Sequence, residues 1–116
     1  MIEHLFAKGK STSAFPLKLL YDFVEEEPHM LKAGVTVSSR KFKKAVDRNR
    51  VKRVMREAYR LQKIPIQKLL IAEGKSMVFF FIYIGKELPV YKEIYDKMGV
   101  LLQRLNKEII NSKRTN

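Results

Sequence analysis

The sequence predicts an α+β fold: helices packed on one small, mostly antiparallel sheet. Three observations carry this. Residues 17–24, LKLLYDFV, alternate as a strand does, and residues 44–60 and 91–109 repeat their apolar side chains at helical spacing. Residues 77–84, MVFFFIYI, are apolar on both faces, as a covered central strand must be. A chain of 116 residues has room for one core, so a single domain over 1–116 is expected, with a frayed tail at about 111–116.

In chain order, Ile2, Leu5 and Phe6 ahead of Gly9 predict a short helix over 2–8. In 17–24, Leu17, Leu19, Tyr21 and Phe23 share one face, and Lys18, Leu20 and Asp22 the other. EEEPH, 25–29, reads as a turn. Residues 33–39, AGVTVSS, form a strand with Ala33, Val35 and Val37 on one face. Its other face, Gly34, Thr36 and Ser38, is small enough to leave room for a ligand. A long helix runs from about Lys43 to about Lys63 and ends before Pro65. IQKLLIAEGK, 66–75, is a short helix that Gly74 ends. After the central strand, Gly85 and Pro89 mark a turn, and the last helix buries positions 94, 98, 101, 102, 105 and 109. The expected order is α-β-β-α-(α)-β-α, with no element between Gly9 and Pro16.

Charge points to function. Of a net +12, residues 40–63 hold eleven Lys or Arg against Asp47 and Glu57, so nine of the twelve net charges sit in 24 residues. Such clustering suits a polyanion, nucleic acid first and anionic membrane second. Stepping about 100° per residue from Asn49 places Val51, Val54, Met55, Ala58 and Leu61 on one side. Lys52, Arg53, Arg56, Arg60 and Lys63 fall on the opposite side, around Asn49. The ladder Arg48, Lys52, Arg56, Arg60 repels itself by on the order of 1 kcal/mol. Only Arg53–Glu57 offers relief at that spacing. A merely solvated face usually mixes signs, and a membrane helix needs a free apolar face, which here is committed to the core. Asn49 offers an amide that both donates and accepts, as bases and ribose hydroxyls require. Arg50 falls to the side of both faces and is a candidate tie to a neighbouring loop.

Several chemistries are excluded or weak. The chain has no Cys, hence no disulfide and no thiolate zinc site. Neither a Gly-rich phosphate loop nor metal-ligand spacing is visible. An eight-residue apolar run cannot span a bilayer as a helix, and MIEHLFAKGK lacks the pattern of a secretory signal, so a cytoplasmic location is expected. His4 and His29 are the only histidines; a self-sufficient ribonuclease would need them for general acid–base cleavage. Glu25, Glu26 and Glu27 read as a solvated acidic run.

The block AGVTVSS…KKAVDRNRVKRVMREAYR resembles the family of bacterial ribonuclease P protein subunits. The family pattern, a valine-rich strand ending in Val-Ser and then Ala-Val-x-Arg-Asn-Arg-x-Lys-Arg-x-x-Arg-Glu, is met by Arg48, Asn49, Arg50, Lys52, Arg53 and Arg56. LFAKGKS, PLKLLY, the apolar strand and the final helix follow in order, so the resemblance spans nearly the whole chain. It implies a left-handed β-α-β crossover around the basic helix. It also implies a protein that assists a catalytic RNA, with Mg²⁺ held mainly by that RNA and the substrate, in removing the 5′ leader of precursor tRNA. By the same resemblance Arg48, Asn49, Arg50, Lys52, Arg53, Arg56 and Arg60 contact the catalytic RNA. The leader would lie in a cleft between the first helix and the sheet, with Phe6 and Phe15 for stacking, Lys8 and Lys18 for phosphate, Leu20 or Tyr21 on the strand, and Thr36 and Ser38. No membrane and no protein partner is implied. Two departures stand out: KFKKAV carries Phe42 and Lys43 where the family often has Gly, and YIGKE replaces Ala-Arg after the central strand. Tyr83 and Lys86 are candidate substitutes for that arginine. The alternative reading is a stand-alone RNA-binding or ribosome-associated module.

Overall fold

A computed structural model describes residues 9–24 and 31–114. The predicted helix over 2–8, with His4, Phe6 and Lys8, lies outside them, as does the turn 25–29 with its glutamates and His29. The described elements run β1 (Lys10–Ala14), β2 (Leu17–Val24), β3 (Leu31–Val37), α1 (Ala45–Arg60), α2 (Ile64–Glu73), β4 (Ser76–Tyr83) and α3 (Tyr91–Arg114). The sheet order is β1-β2-β4-β3. β1 and β4 each pair antiparallel with β2, and β3 pairs parallel with β4. The sheet is therefore mostly antiparallel, β4 is central as its two apolar faces predict, and β3-α1-α2-β4 is the expected β-α-β crossover.

One face of the sheet meets the helices. Leu17, Leu19 and Tyr21 of β2, Val37 of β3, and Met77, Phe79, Phe81 and Tyr83 of β4 are buried there. Val51, Met55 and Ala58 of α1 come down on them, with Ile94, Met98, Leu101, Leu102, Leu105 and Ile109 of α3. The six positions expected of the last helix are thus all buried. Phe79 and Phe81 meet edge to face at 5.6 Å, a favoured aromatic geometry. α2 contributes Ile66 and Leu70 and ends at Gly74, whose φ of 63° is the left-handed cap that glycine adopts without a Cβ clash.

Three expectations need correction. β1 was not foreseen: KSTSA is polar and five residues long, so it has no apolar alternation to read. Backbone pairing with β2 holds it, joined by Arg104, whose Nη1 donates to Thr12 Oγ1 (2.8 Å) and the Ser13 carbonyl (2.7 Å). The basic helix stops at Arg60 rather than near Lys63, so Leu61, placed inward by the projection, is 52% exposed. Leu61 is already the C-cap, where a constant turn per residue no longer applies, and Pro65 opens α2, where its missing N–H has no cost. Finally, β3 spans Leu31–Val37, so Ser38 lies just past its end.

Candidate nucleic-acid interface

α1 positions the cationic face. Its first residue follows Lys44, an extended N-cap without a side-chain cap bond, and Asp47 in the first turn complements the helix dipole. With Val51, Met55 and Ala58 turned to the sheet, Asn49, Arg50, Arg53, Arg56 and Arg60 are exposed, and Arg48 and Lys52 are half-buried. The seven predicted residues therefore share one element, and five of them reach solvent.

Their local partners differ. Arg48 Nη1 donates to the Phe42 carbonyl (2.7 Å) and the Lys43 carbonyl (2.8 Å). The tie to a neighbouring loop falls to Arg48, while Arg50 is exposed. Phe42, a departure from the family pattern, is buried with its ring 5.8 Å from Tyr83, so it anchors this loop to the sheet. Glu57 pairs with Arg60, not with Arg53: Arg60 Nη2 and Nε donate to its two oxygens at 2.6 and 3.1 Å. This hydrogen bond lowers the Glu57 carboxyl and raises the Arg60 guanidinium. Arg60 is thus the one predicted contact on α1 whose charge is locally offset.

The second predicted site is the leader cleft, several of whose candidates fall on the sheet face turned away from α1 and α3. Register places Lys18, Ile82 and Thr36 in one row, and Leu20, Phe80 and Gly34 in the next. Lys18, Thr36, Phe80 and Ile82 are half-buried and Leu20 is buried. Lys18, Leu20 and Thr36 are therefore brought together. Tyr21 is not: it is buried on the helix side with Leu17 and Leu19, where desolvation and then Glu108 push its hydroxyl up. Phe15, 66% exposed, and Ser38 stand at one end of the sheet beyond the Leu17–Tyr83–Val37 row. Ser38 Oγ accepts from the Arg40 backbone N–H, closing a turn.

Phe80 and Ile82 were not foreseen at this face. The signal was present, since they alternate with Phe79, Phe81 and Tyr83 in MVFFFIYI. The small face of β3 was read as open space, but at Gly34 that space is filled. A Cβ there would overlap the Phe80 ring. Tyr83 does not replace the missing arginine: it is buried on the helix face and donates to the Glu87 carbonyl at 2.6 Å.

Among the described residues no group of three or more His, Asp or Glu stands close enough to hold a metal ion. No described helix is long and apolar enough to cross a membrane.

Fold and site define a class: a small α+β protein that carries a helix with a largely cationic outer face in the crossover between two parallel strands. The model of the family Ribonuclease P matches residues 1–106. The chain is 31% identical over 116 residues to the ribonuclease P protein component of Porphyromonas gingivalis, covering 99% of this chain and 85% of that protein. It is 40% identical over 119 residues to that of Chlorobium phaeobacteroides, covering 90% and 80%. In fold it is similar to the RNase P proteins of Staphylococcus aureus (TM-score 0.68, 18% identity, 90% and 87% covered) and Thermotoga maritima (TM-score 0.68, 23% identity, 89% of each). The chain belongs to the ribonuclease P protein family.

Proposed function

We propose that the chain is the protein subunit of ribonuclease P in the cytoplasm. It binds the catalytic RNA through α1 and holds the 5′ leader of precursor tRNA on the opposite sheet face. The observation that carries this is the outer face of α1, where Asn49, Arg50, Arg53 and Arg56 are exposed and the single Glu57 is taken by Arg60. Guanidinium groups on a rigid helix suit phosphates, and Asn49 among them suits a base edge or ribose hydroxyl. Arg48 keeps unengaged donors while bracing the 42–44 loop.

The leader path runs from Phe15 and Ser38 at the sheet end, over Lys18 and Thr36, to Leu20 and Phe80. Phe80 supplies the aromatic surface that a single strand needs for stacking, about 1–3 kcal/mol per base. Tyr21, buried on the other face, has no part in it. Phe6 and Lys8 remain in the proposal from the family resemblance alone. The family resemblance alone leaves Mg²⁺ mainly with the RNA and substrate, and no step is assigned to this chain through it.

The test is reconstitution with the cognate catalytic RNA on precursor tRNA over a Mg²⁺ series. Protein plus RNA cleaves at low Mg²⁺, and the protein alone does not. Cleavage without RNA would overturn the reading and point to His4 and His29. Tight RNA binding with no effect on cleavage would favour the stand-alone RNA-binding module.

A further inference from the structure

The cationic face of α1 borders a pocket of about 340 Å³ at the edge of the sheet. It is lined by Ala33, Gly34 and Val35 of β3, Phe80 and Phe81 of β4, and Arg56 and Tyr59 of α1. β3 is an edge strand, so one side of its backbone has no strand neighbour among the described residues. Such an edge offers N–H and C=O groups to an incoming partner.

Tyr59 is the unusual member. Its ring is fixed by Phe79 (5.7 Å, edge-on) and Phe81 (6.0 Å). Burial pushes its hydroxyl up to about 12, so it keeps its proton. Among the described residues that hydroxyl has no hydrogen-bond partner. A half-buried donor beside an exposed guanidinium is more than phosphate neutralisation requires. The volume sits at the low end for ligand pockets, too small for a helix and suited to one planar group with its sugar. Aromatic and guanidinium planes stack unpaired bases, whose edges then need donors and acceptors.

We propose that this pocket takes one unpaired nucleobase of the catalytic RNA, stacked by Arg56 and Tyr59 and bonded at its edge by the Tyr59 hydroxyl and the β3 backbone. The proposal rests on α1 as the face for that RNA. It assigns the base to the catalytic RNA because Arg56 and Tyr59 make the pocket continuous with the cationic face of α1; Gly34 and Phe80 also bring it to the end of the leader path, so the leader-bearing substrate is the discriminating arm of the test.

The experiment compares Tyr59→Phe, Ala33→Phe and Arg53→Ala for affinity to the catalytic RNA over a salt series, with chemical probing of unpaired nucleotides. Tyr59→Phe keeps the packed ring and weakens binding about 3–10-fold, the range of one hydrogen bond. Ala33→Phe fills the pocket from an exposed position and weakens it about 10-fold, the scale of one lost stack. Neither changes the slope of affinity against salt, whereas Arg53→Ala flattens it. One nucleotide protected by the parent protein becomes reactive with Ala33→Phe and stays protected with Arg53→Ala. Parent-like affinity in both pocket variants, or weakening that comes with a slope change, overturns the proposal. If Ala33→Phe melts early, Tyr59→Phe carries the test. An effect seen only with leader-bearing substrate assigns the base to the leader and also overturns it. If Arg53→Ala leaves the slope unchanged, the reading of α1 itself fails; if it flattens the slope while the pocket variants are silent, only the pocket falls.

Discussion

Gly34 shows how far single residues can be read from sequence. Its lack of a side chain was plain, and so was the strand that carries it. What lies in the resulting space was not, because the register between β3 and β4 is long-range information. The structure puts the Phe80 ring of the same chain there. Gly34→Ala forces that ring to move and is expected to cost about 1–3 kcal/mol, the usual range for overpacking. In a Phe80→Ala background the same change costs much less, so chemical denaturation of the four proteins of the cycle measures the coupling. Equal costs in both backgrounds would mean that the ring does not rest on Gly34. Tyr59 makes a second residue-scale prediction, in pH. Its folded value of about 12 exceeds the ordinary tyrosine value near 10, so between them the unfolded chain loses the proton first. Stability then falls as pH rises, by at most about 1.4 kcal/mol per unit for this group, and Tyr21 and Tyr83 act in the same direction. Tyr59→Phe should flatten the decline in urea midpoint between about pH 10 and pH 12; an unchanged decline would show that the hydroxyl is not desolvated.

Elements were legible where apolar periodicity was strong. The inward Val51, Met55 and Ala58 of α1, all of α3's buried positions and the centrality of β4 follow from spacing alone. Periodicity is silent where an element's energy lies in backbone pairing and polar contacts, which is why β1 went unread. It also misleads at ends: Leu61 obeys the helical projection but sits on a residue that has left the helix. Side-chain pairing within α1 was half legible. Glu57 had an arginine at either side, and the structure selects Arg60. That choice separates two arginines that look equivalent in sequence. Arg53→Ala should lower the slope of RNA affinity against salt by roughly 0.7–0.9, one phosphate contact. Arg60→Ala removes a cation that is already offset and frees Glu57, so its change in slope should be smaller. Equal changes, measured by filter binding over the same salt range, would mean that the Arg60–Glu57 pair opens when RNA binds.

At the scale of the molecule, the distribution of charge sets stability against binding. Nine of twelve net positive charges lie in residues 40–63, on α1 and the segments that flank it, and the core needs the inner face of that helix. Steps of four join Arg48, Lys52, Arg56 and Arg60, each a repulsive neighbour of the next. Among the described residues the only acid within this ladder, Glu57, is paired with Arg60. Such an arrangement opposes folding of the free protein; in the proposed complex, phosphates would replace the missing counter-charge and favour it. Replacing Lys52 and Arg56 with Gln, which has similar helix propensity, removes like-charge pairs without touching the core. The double variant should therefore melt higher than the parent at low salt, by a few degrees if the ladder costs on the order of 1 kcal/mol. The difference should shrink as added salt screens the parent's charges, because the Debye length falls to about 3 Å at 1 M. The same variant should bind catalytic RNA more weakly and with a flatter salt slope. Thermal melts at low and high salt, run beside the binding series, check both halves. A variant that melts at or below the parent at low salt would show that these side chains stabilise the free fold, and self-repulsion would no longer be the cost at which the proposed RNA-binding face is maintained.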